Sequence, residues 1–329
     1  MKNKQWLLKR RPQGEAQESD FELRETDVPP LSDGQLLIKV HSLSLDPYMR
    51  GRMDESKSYA APQPLGEVMV GATVGEVIDS KHPKYRAGDM VTGPGGWQQY
   101  FVSNGSGLQK VDTHAIPASA WLGAVGMPGV TAWYGLNRIC QPRAGETVVV
   151  SAASGAVGSV VGQLAKLHGC RAVGIAGGKA KCDYVKGELG FDACVDYKST
   201  DFKEAFKAAT PKGIDCVFEN VGGMILDAEL ARMNAFGRIA VCGLIAGYSG
   251  QEVTIRNARS ILVNRLKLEG FIVSEHLELW PQALAELGKL VVEGELKYRE
   301  SVAQGIESAP RAFLGLLKGE NFGKQLVRM

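Results

Sequence analysis

The pattern of apolar positions divides the chain into two parts near residue 146. Before that point the sequence is rich in Gly and Pro, and short apolar runs such as those at 36–40 and 68–74 predict strands joined by turns. From Glu146 onward, apolar strands alternate with segments of helical periodicity, which is typical of a parallel sheet covered by helices on both faces. The pattern therefore predicts an α/β fold with a doubly wound parallel sheet in its second part.

Six apolar runs predict the strands of that sheet. They lie at 147–151, 171–176, 193–195, 215–219, 238–242 and 268–273. A complete Rossmann sheet has the same number of strands. Between the first two runs, one apolar face recurs at three- and four-residue spacing, which predicts a helix that packs on the sheet. The members of this face are Val157, Val160, Val161, Leu164 and Leu167.

The predicted elements also set the domain boundaries. At 329 residues the chain exceeds the size at which one hydrophobic core stops growing, so we expect two domains. We assign 126–299 to a dinucleotide-binding Rossmann domain and 1–125 to a mainly β substrate domain. Segment 309–329 predicts a helix and a short strand, so we expect the substrate domain to be completed by about 300–329.

A glycine-rich turn joins the first predicted strand to the helix after it. Its sequence is Ala152-Ala153-Ser154-Gly155-Ala156-Val157-Gly158. Glycine lets the backbone approach a pyrophosphate, and the unpaired amides of a helix N-terminus favour its negative charge, so the turn predicts a dinucleotide site. Ala153 replaces the first glycine of the common G-x-G-x-x-G pattern. The turn alone therefore leaves open a second interpretation, a turn that only lets the helix pack closely.

The end of the second strand distinguishes the two dinucleotides. NAD enzymes place an acidic residue there, but this strand ends in Gly177-Gly178 and is followed by Lys179 and Lys181. A negative 2′-phosphate would therefore meet small residues and ammonium groups, which favours NADPH. The alternative is that each lysine is an ordinary solvated residue of the first helical turn.

Composition and charge exclude several classes of protein. Lys and Arg total 38 against 36 Asp and Glu, and a net charge of +2 gives no electrostatic reason to expect nucleic acid as a partner. No stretch approaches the roughly 18 apolar residues of a membrane span, and the first residues lack a signal-peptide pattern, so we expect a cytoplasmic protein. The six cysteines form no C-x-x-C pair and are expected to pack as reduced thiols.

The sequence offers no set of ligands for a catalytic zinc. Such a site needs three protein ligands, usually Cys and His, but the first cysteine is Cys140, and the five histidines show no ligand spacing. The histidines are His41, His82, His114, His168 and His276. Without a Lewis acid, alcohol oxidation lacks its usual means of stabilising an alkoxide, whereas reduction of an activated alkene needs none.

Three segments together resemble a known family. They are SLDPYMRGRM at 44–53, GMPGVTA at 126–132 and ENVGG at 219–223. They are similar to segments of the zinc-independent medium-chain dehydrogenase/reductases, in the branch of prostaglandin reductases, plant alkenal double-bond reductases and bacterial NADPH-dependent curcumin reductases. The resemblance is strongest to the last group and extends from Trp6 to Val327. Zinc-dependent relatives have Gly-His-Glu where this chain has Leu65-Gly66-Glu67.

The resemblance implies a GroES-like fold for the substrate domain and a set of NADPH contacts. Lys181 would bind the 2′-phosphate, Tyr197 would lie on the adenosine side, and Asn220 would face the nicotinamide riboside. The other implied cofactor contacts are Gly155, Ala156, Val157, Gly158, Cys242, Gly243, Tyr248, Phe271, Ile272, Val273 and Asn321. The implied substrate pocket consists of Tyr48, Met49, Arg52 and Tyr59 from the first domain and Tyr248 from the second.

The implied reaction is hydride transfer from NADPH to the β-carbon of an α,β-unsaturated ketone or aldehyde. Negative charge then develops on the carbonyl oxygen, and a tyrosine hydroxyl, which ordinarily titrates near about 10, can donate a hydrogen bond to it. We expect Tyr248 to supply that hydroxyl, in an enzyme that acts as a homodimer. One alternative is an NADPH quinone reductase, and another is a structural NADPH-binding protein without catalysis.

Overall fold

The computed structural model describes residues 1–329, and the chain forms two compact units. The first unit consists of Met1–Leu122 and Glu300–Met329, and the second consists of Gly123–Arg299. The first unit is therefore discontinuous in sequence, whereas the second is one uninterrupted segment.

The strands and helices alternate most regularly in the second unit. The strands are β1 (Lys2–Leu8), β2 (Phe21–Asp27), β3 (Leu36–Leu45), β4 (Thr73–Ser80), β5 (Met90–Gly93), β6 (Tyr100–Ser103), β7 (Gln109–Lys110), β8 (Thr147–Val150), β9 (Arg171–Ala176), β10 (Ala193–Asp196), β11 (Ile214–Glu219), β12 (Met233–Val241), β13 (Lys267–Gly270), β14 (Glu300–Gln304) and β15 (Lys324–Arg328). The helices are α1 (Tyr48–Arg52), α2 (Met127–Tyr134), α3 (Gly158–Leu167), α4 (Lys179–Gly187), α5 (Phe202–Ala209), α6 (Gly223–Leu230), α7 (Arg259–Val263), α8 (Trp280–Val292) and α9 (Ala309–Leu317).

The first unit is mainly β. Its seven-stranded sheet has the order β14-β15-β3-β4-β5-β7, with β6 also paired to β3, and β1 and β2 form a separate antiparallel pair. The C-terminal strand β15 pairs antiparallel with β3, so that Val327 lies opposite Leu43. Aromatic side chains form much of the core: the Trp97 ring stacks on Phe21 with centroids 5.3 Å apart and meets Phe313 edge-on at 5.5 Å.

The second unit confirms the predicted Rossmann-type sheet. Its six strands are all parallel, in the order β10-β9-β8-β11-β12-β13, and the strand order reverses between β8 and β11. Ligands of open α/β sheets bind outside the carboxyl ends of the strands at such a reversal. The predicted helix after β8 is α3, whose residues Gly158–Ala165 are all buried. Leu167, at the end of the predicted apolar face, is instead 50% exposed.

Two strand predictions differ from the structure at their ends. The sixth strand stops at Gly270 rather than at residue 273, because the chain turns into a 3₁₀ segment at Val273–Glu275. The fifth begins at Met233 rather than at residue 238, and Phe236 within it has a left-handed φ of 63°. An apolar run alone cannot locate either change of direction. None of the helices combines the length and apolar composition that a membrane span requires.

Candidate active site

The glycine-rich turn lies between β8 and α3, and its shape requires glycine at its last position. A Cβ added to Gly158 would lie 2.5 Å from the Ala152 carbonyl oxygen, whereas one added to Gly155 would lie 3.2 Å from the same atom. Ala152 itself has a left-handed φ of 49°. The turn is fixed to the sheet by a hydrogen bond from the Ala153 amide to the Ile175 carbonyl at 3.0 Å. Ala156 and Val157 complete the turn, half-buried, immediately before α3.

The first turn of α4 presents two lysines in different environments. Lys179 is exposed and forms an ion pair with Asp183 on the same helix at 2.6 Å. Lys181 is half-buried, and burial together with the neighbouring Lys198 ammonium lowers its pKa. Two cations held close to one another make a fitting site for a phosphate dianion. The structure therefore distinguishes Lys181 from Lys179 on physical grounds.

Tyr197 lies beside these lysines at the end of β10. A Cβ added to Gly177 would lie 2.9 Å from the Tyr197 ring, and the Lys198 ammonium lies 5.9 Å from the ring centroid. The adjacent Asp196 carboxylate accepts hydrogen bonds from the amides of Gly178 and Lys198, at 2.8 Å and 2.9 Å. The small residues after β9 thus leave room for an aromatic ring that an adenine could pack against.

Asn220 is held in place where β11 ends. Its side-chain amide donates to the Ser151 carbonyl, and its backbone amide donates to the Ser151 hydroxyl, both at 2.8 Å. That hydroxyl donates in turn to the buried Glu219 carboxylate at 3.1 Å. Glu219 also accepts hydrogen bonds from the backbone amides of Val221 and Gly222. The glycine-rich turn and the turn after β11 are therefore connected by one buried polar network.

The segment after β12 crosses the end of β11. The amides of Cys242 and Gly243 donate to the Glu219 carbonyl at 2.8 Å and 3.2 Å, and burial raises the pKa of the Cys242 thiol to about 12. A Cβ added to Gly243 would lie 3.5 Å from both the Asn220 carbonyl oxygen and the Tyr248 hydroxyl oxygen. The structure thus brings Asn220, Gly243 and the Tyr248 hydroxyl together at one edge of the sheet.

The predicted residues after β13 pack against other elements of the second unit. The Phe271 ring lies 5.3 Å from the Tyr134 ring and 6.2 Å from the Phe218 ring, centroid to centroid. The Val273 carbonyl accepts a hydrogen bond from the Trp280 indole at 3.1 Å. Ile272, between them, is half-buried in an extended conformation. The segment is therefore anchored by aromatic packing rather than by strand pairing.

The first unit contains the remaining predicted residues. Tyr48 is on α1, and burial together with the carboxylate of Asp46 raises the pKa of its hydroxyl. Tyr59 is 57% exposed and close enough to Tyr48 to contribute to that shift. Arg52 has a buried Nε atom without a hydrogen-bond partner. These three side chains offer polar atoms to a ligand.

Met49 occupies a different position from the one expected, and Asn321 lies near the C-terminus. The Met49 side chain is 0% exposed and packs in the core with Leu45 and Met53, so it presents no surface to a ligand. The five residues of α1 are too few for sequence periodicity to show which face is buried. The Asn321 side chain, which is half-buried, donates to the nearby Gly323 carbonyl at 2.8 Å.

Three buried polar residues of the second unit escaped the sequence analysis. They are Ser151, Glu219 and Glu229, all of which are fully buried. The first two adjoin predicted motifs, and an acid at the end of an otherwise apolar strand, Cys216-Val217-Phe218-Glu219, is a usable signal for the second. No group of three or more His, Cys, Asp or Glu side chains is arranged to hold a metal ion.

Comparison with known proteins agrees with this fold. Residues 4–111 match the family model described as "N-terminal domain of oxidoreductase", and residues 156–289 match "Zinc-binding dehydrogenase". The chain is 46% identical to the NADPH-dependent curcumin reductase of Escherichia coli (strain K12), over 100% of this chain and 97% of that protein. It is 43% identical to prostaglandin reductase 1 of Oryctolagus cuniculus, over 98% and 92%.

A solved structure is similar along its whole length. The structure of CurA in complex with NADPH from Vibrio vulnificus superposes with a TM-score of 0.95 at 44% identity, over 99% of both chains. Identity at this level over the full length is far above what a shared fold alone requires. The chain belongs to the medium-chain dehydrogenase/reductase family, in the branch that contains the curcumin and prostaglandin reductases.

Proposed function

We propose that this protein is an NADPH-dependent reductase of carbon–carbon double bonds conjugated to a ketone or aldehyde. The observation that carries the proposal is the full-length similarity to an NADPH-bound structure, together with a second unit whose strand ends fit that cofactor. Curcumin and prostaglandin reductase are the names of its relatives, so we infer an enone or enal substrate of that general kind.

Residues of the second unit would hold the cofactor. The turn Gly155–Gly158 accommodates the pyrophosphate at the N-terminus of α3, and Lys181 binds the 2′-phosphate with Lys198 nearby. Tyr197 lies against the adenosine, and Asn220 and Gly243 lie along the nicotinamide riboside. Cys242, Phe271, Ile272 and Val273 line the nicotinamide end. When bound, NADPH supplies the hydride for the reaction.

Tyr248 acts on the carbonyl oxygen of the substrate. The hydroxyl oxygen and the Asn220 carbonyl oxygen each lie 3.5 Å from a Cβ built on Gly243, at the strand ends where ligands of such sheets bind, which supports a role at the nicotinamide. From there it donates a hydrogen bond to the oxygen on which negative charge develops, and it delivers a proton to the resulting enolate. A preorganised donor of this kind commonly lowers a barrier by about 2.7–4 kcal/mol.

The first unit binds the substrate. Tyr48, Arg52 and Tyr59 offer hydroxyl and guanidinium donors, and the buried Arg52 Nε would be satisfied by a carbonyl or carboxylate oxygen. We assign 1–125, completed by about 300–329, to this role and 126–299 to NADPH. Asn321 belongs to the same unit and contributes to the cofactor site in this proposal.

The enzyme acts as a homodimer in the cytoplasm. Strand β13 is an edge strand, paired only with β12, and α7 shortly before it carries Leu262, which is 79% exposed, and the exposed Val263. An unpaired edge beside exposed apolar side chains suits self-association with two-fold symmetry. The six cysteines are free thiols, as in reducing compartments. Sedimentation velocity of the parent and of Leu262→Lys tests the dimer, which the substitution should weaken.

A turnover screen with NADPH tests the proposed activity. An enone, an enal, a quinone and a simple alcohol with NADP⁺ are assayed in parallel, and the products are identified by mass spectrometry. We expect the enone or enal to yield the saturated carbonyl compound. Turnover of the quinone alone would instead identify a quinone reductase, and tight NADPH binding without turnover of any substrate would identify a non-catalytic protein.

A further inference from the structure

Two glutamate side chains are buried together in the second unit. Glu219 ends β11 and Glu229 is on α6, the helix that follows, and both are 0% exposed. On α6, Glu229 belongs to the buried face that also contains Ile225 and Leu226. A carboxyl group among such neighbours needs a hydrogen-bond partner or a proton, because ionisation without compensation in an apolar interior is costly.

Glu219 is surrounded by hydrogen-bond donors. Its two oxygens accept from the Ser151 hydroxyl and from the amides of Val221 and Gly222. These donors satisfy both carboxylate oxygens of Glu219 in its buried position. Glu219 thereby fixes Ser151 before the glycine-rich turn and the backbone that carries Asn220.

Glu229 has no such donors. Neither of its oxygens has a hydrogen-bond partner. The neighbouring Glu219 carboxylate could share a hydrogen bond with Glu229 only through a proton, because two ionised carboxylates have no donor between them. Burial and the adjacent Glu219 charge raise the pKa of Glu229 well above its usual range. The other titratable group facing Glu219 is the Cys242 thiol, which burial keeps neutral with a pKa of about 12. Of the two carboxyl groups, Glu229, which no donor reaches, is therefore the one expected to hold a proton.

We propose that Glu229 is a positioning residue for NADPH: its protonated carboxyl donates a hydrogen bond to Glu219 and so holds Ser151 and Asn220 in their cofactor-binding geometry. The inference rests on the proposed function for the cofactor, but the shared proton is a property of the folded chain alone. Glu229 touches neither cofactor nor substrate in this scheme and acts only through Glu219.

Two substitutions separate positioning from a structural role. Glu229→Gln keeps a hydrogen-bond donor of the same size but cannot ionise, whereas Glu229→Leu removes the donor. An apolar side chain at a buried acidic position is often neutral or stabilising, so the leucine variant should fold. Leu230→Ala is the matched control, because Leu230 is equally buried on α6 but packs in the apolar core.

Titration calorimetry with NADPH gives the first measurement. Relative to the parent, we expect Glu229→Gln to bind within about twofold and Glu229→Leu to bind at least about tenfold more weakly, since an unpaired buried group costs this much. Leu230→Ala should lower the thermal midpoint without changing NADPH affinity by more than about twofold. Equal affinities of the glutamine and leucine variants, whether weakened or not, would overturn the proposal.

Thermal unfolding against pH gives the second measurement and does not depend on the cofactor. The unfolded chain ionises Glu229 near its ordinary pKa while the folded chain retains the proton, so rising pH favours unfolding of the parent. Between about pH 5 and about pH 8, the midpoint of the parent should therefore fall relative to that of Glu229→Gln. A constant difference would mean that Glu229 is ionised when folded, and would refute the shared proton. If the parent bound no NADPH but showed this pH dependence, the proposed function alone would fail.

Discussion

Two segments at the carboxyl ends of the second unit's strands are held in different ways. In the glycine-rich turn, Ser151, Ala153, Ser154 and Gly158 are buried, and contacts within the turn itself dictate its shape. In segment 243–258, which carries Tyr248, no residue is buried. Its position depends on tethers to other elements, such as the Ile245 amide on the Asn220 carbonyl at 3.2 Å. The proposed pyrophosphate site is thus shaped by local sequence, whereas the segment that carries the proposed catalytic Tyr248 is positioned by tertiary contacts.

Substitution of Tyr248 should have the largest effect, because it removes the proposed proton donor from segment 243–258. Tyr248→Phe deletes one hydroxyl and keeps the ring. We expect kcat for an enone to fall by about 10- to 1000-fold with a smaller change in KM, since the lost hydrogen bond strengthens in the transition state. NADPH affinity and the thermal midpoint should barely change, and a quinone should be affected less than an enone.

Steady-state kinetics with saturating NADPH measures this effect. A kcat within about twofold of the parent would mean that Tyr248 only packs, and the proton donor would then be Tyr59, Tyr48 or a bound water. Segment 243–258 would then differ from the glycine-rich turn in how it is held, but not in carrying a catalytic side chain.

The second prediction concerns the proposed 2′-phosphate site, where the Lys181 side chain supplements the backbone amides that would bind the pyrophosphate. Lys181→Ala should raise KM for NADPH by about 5- to 150-fold, equivalent to about 1–3 kcal/mol for a charge-assisted contact, with little change for NADH. Lys179→Ala is the matched control, since that lysine is exposed and paired with Asp183. Parallel kinetics with both cofactors measures the effect. The prediction would be wrong if the two alanine variants behaved alike.

A smaller effect is expected from removing hydrogen bonds that hold segment 243–258 in place. The Asp227 carboxylate on α6 accepts hydrogen bonds from the amides of Arg256 and Asn257, at 2.8 Å and 2.9 Å. Asp227→Ala should lower the unfolding free energy by about 1–3 kcal/mol, and it should also speed proteolytic cleavage between residues 243 and 258. Asp183→Ala, at an exposed acid of α4, controls for loss of charge. Unchanged cleavage kinetics would show that the segment is held without Asp227.

The smallest effect is expected from metal chelation. Neither segment contains a set of metal ligands, and the proposed reaction needs no Lewis acid. Prolonged treatment with a chelator should therefore leave kcat/KM for an enone within about twofold. One zinc ion per chain in elemental analysis of the purified protein, lost together with activity, would contradict this.

The sequence predicted the parts of the second unit that local patterns determine better than the parts that tertiary contacts hold in place. The six strands and the turn at Gly155–Gly158 follow from local patterns, so sequence predicted the Rossmann sheet and its phosphate end. The strand that was expected to include Phe271 and Val273 stops at Gly270, because aromatic packing on Tyr134 replaces strand pairing there. Apolar character alone does not distinguish these two forms of burial.

Buried polar groups were the least predictable part of the site. Glu229 lies in the helical sequence Leu226-Asp227-Ala228-Glu229-Leu230, where an acid ordinarily faces solvent. Only the packing of α6 on β11 turns it towards Glu219. Met49 is the converse case: sequence predicted a pocket residue, and the fold of the first unit places it in the core. Both outcomes depend on contacts between elements that are distant in sequence.

Because β15 completes the sheet of the first unit, the two units should fold in a defined order during synthesis. The buried Lys324 ammonium donates to the Leu45 carbonyl and the Asp46 carboxylate, both at 2.7 Å, across nearly the whole chain. Domains generally fold as units during synthesis, beginning with those whose residues have emerged from the ribosome. The continuous Rossmann unit can therefore fold while translation proceeds, whereas the unit that begins the chain must wait for its last strand.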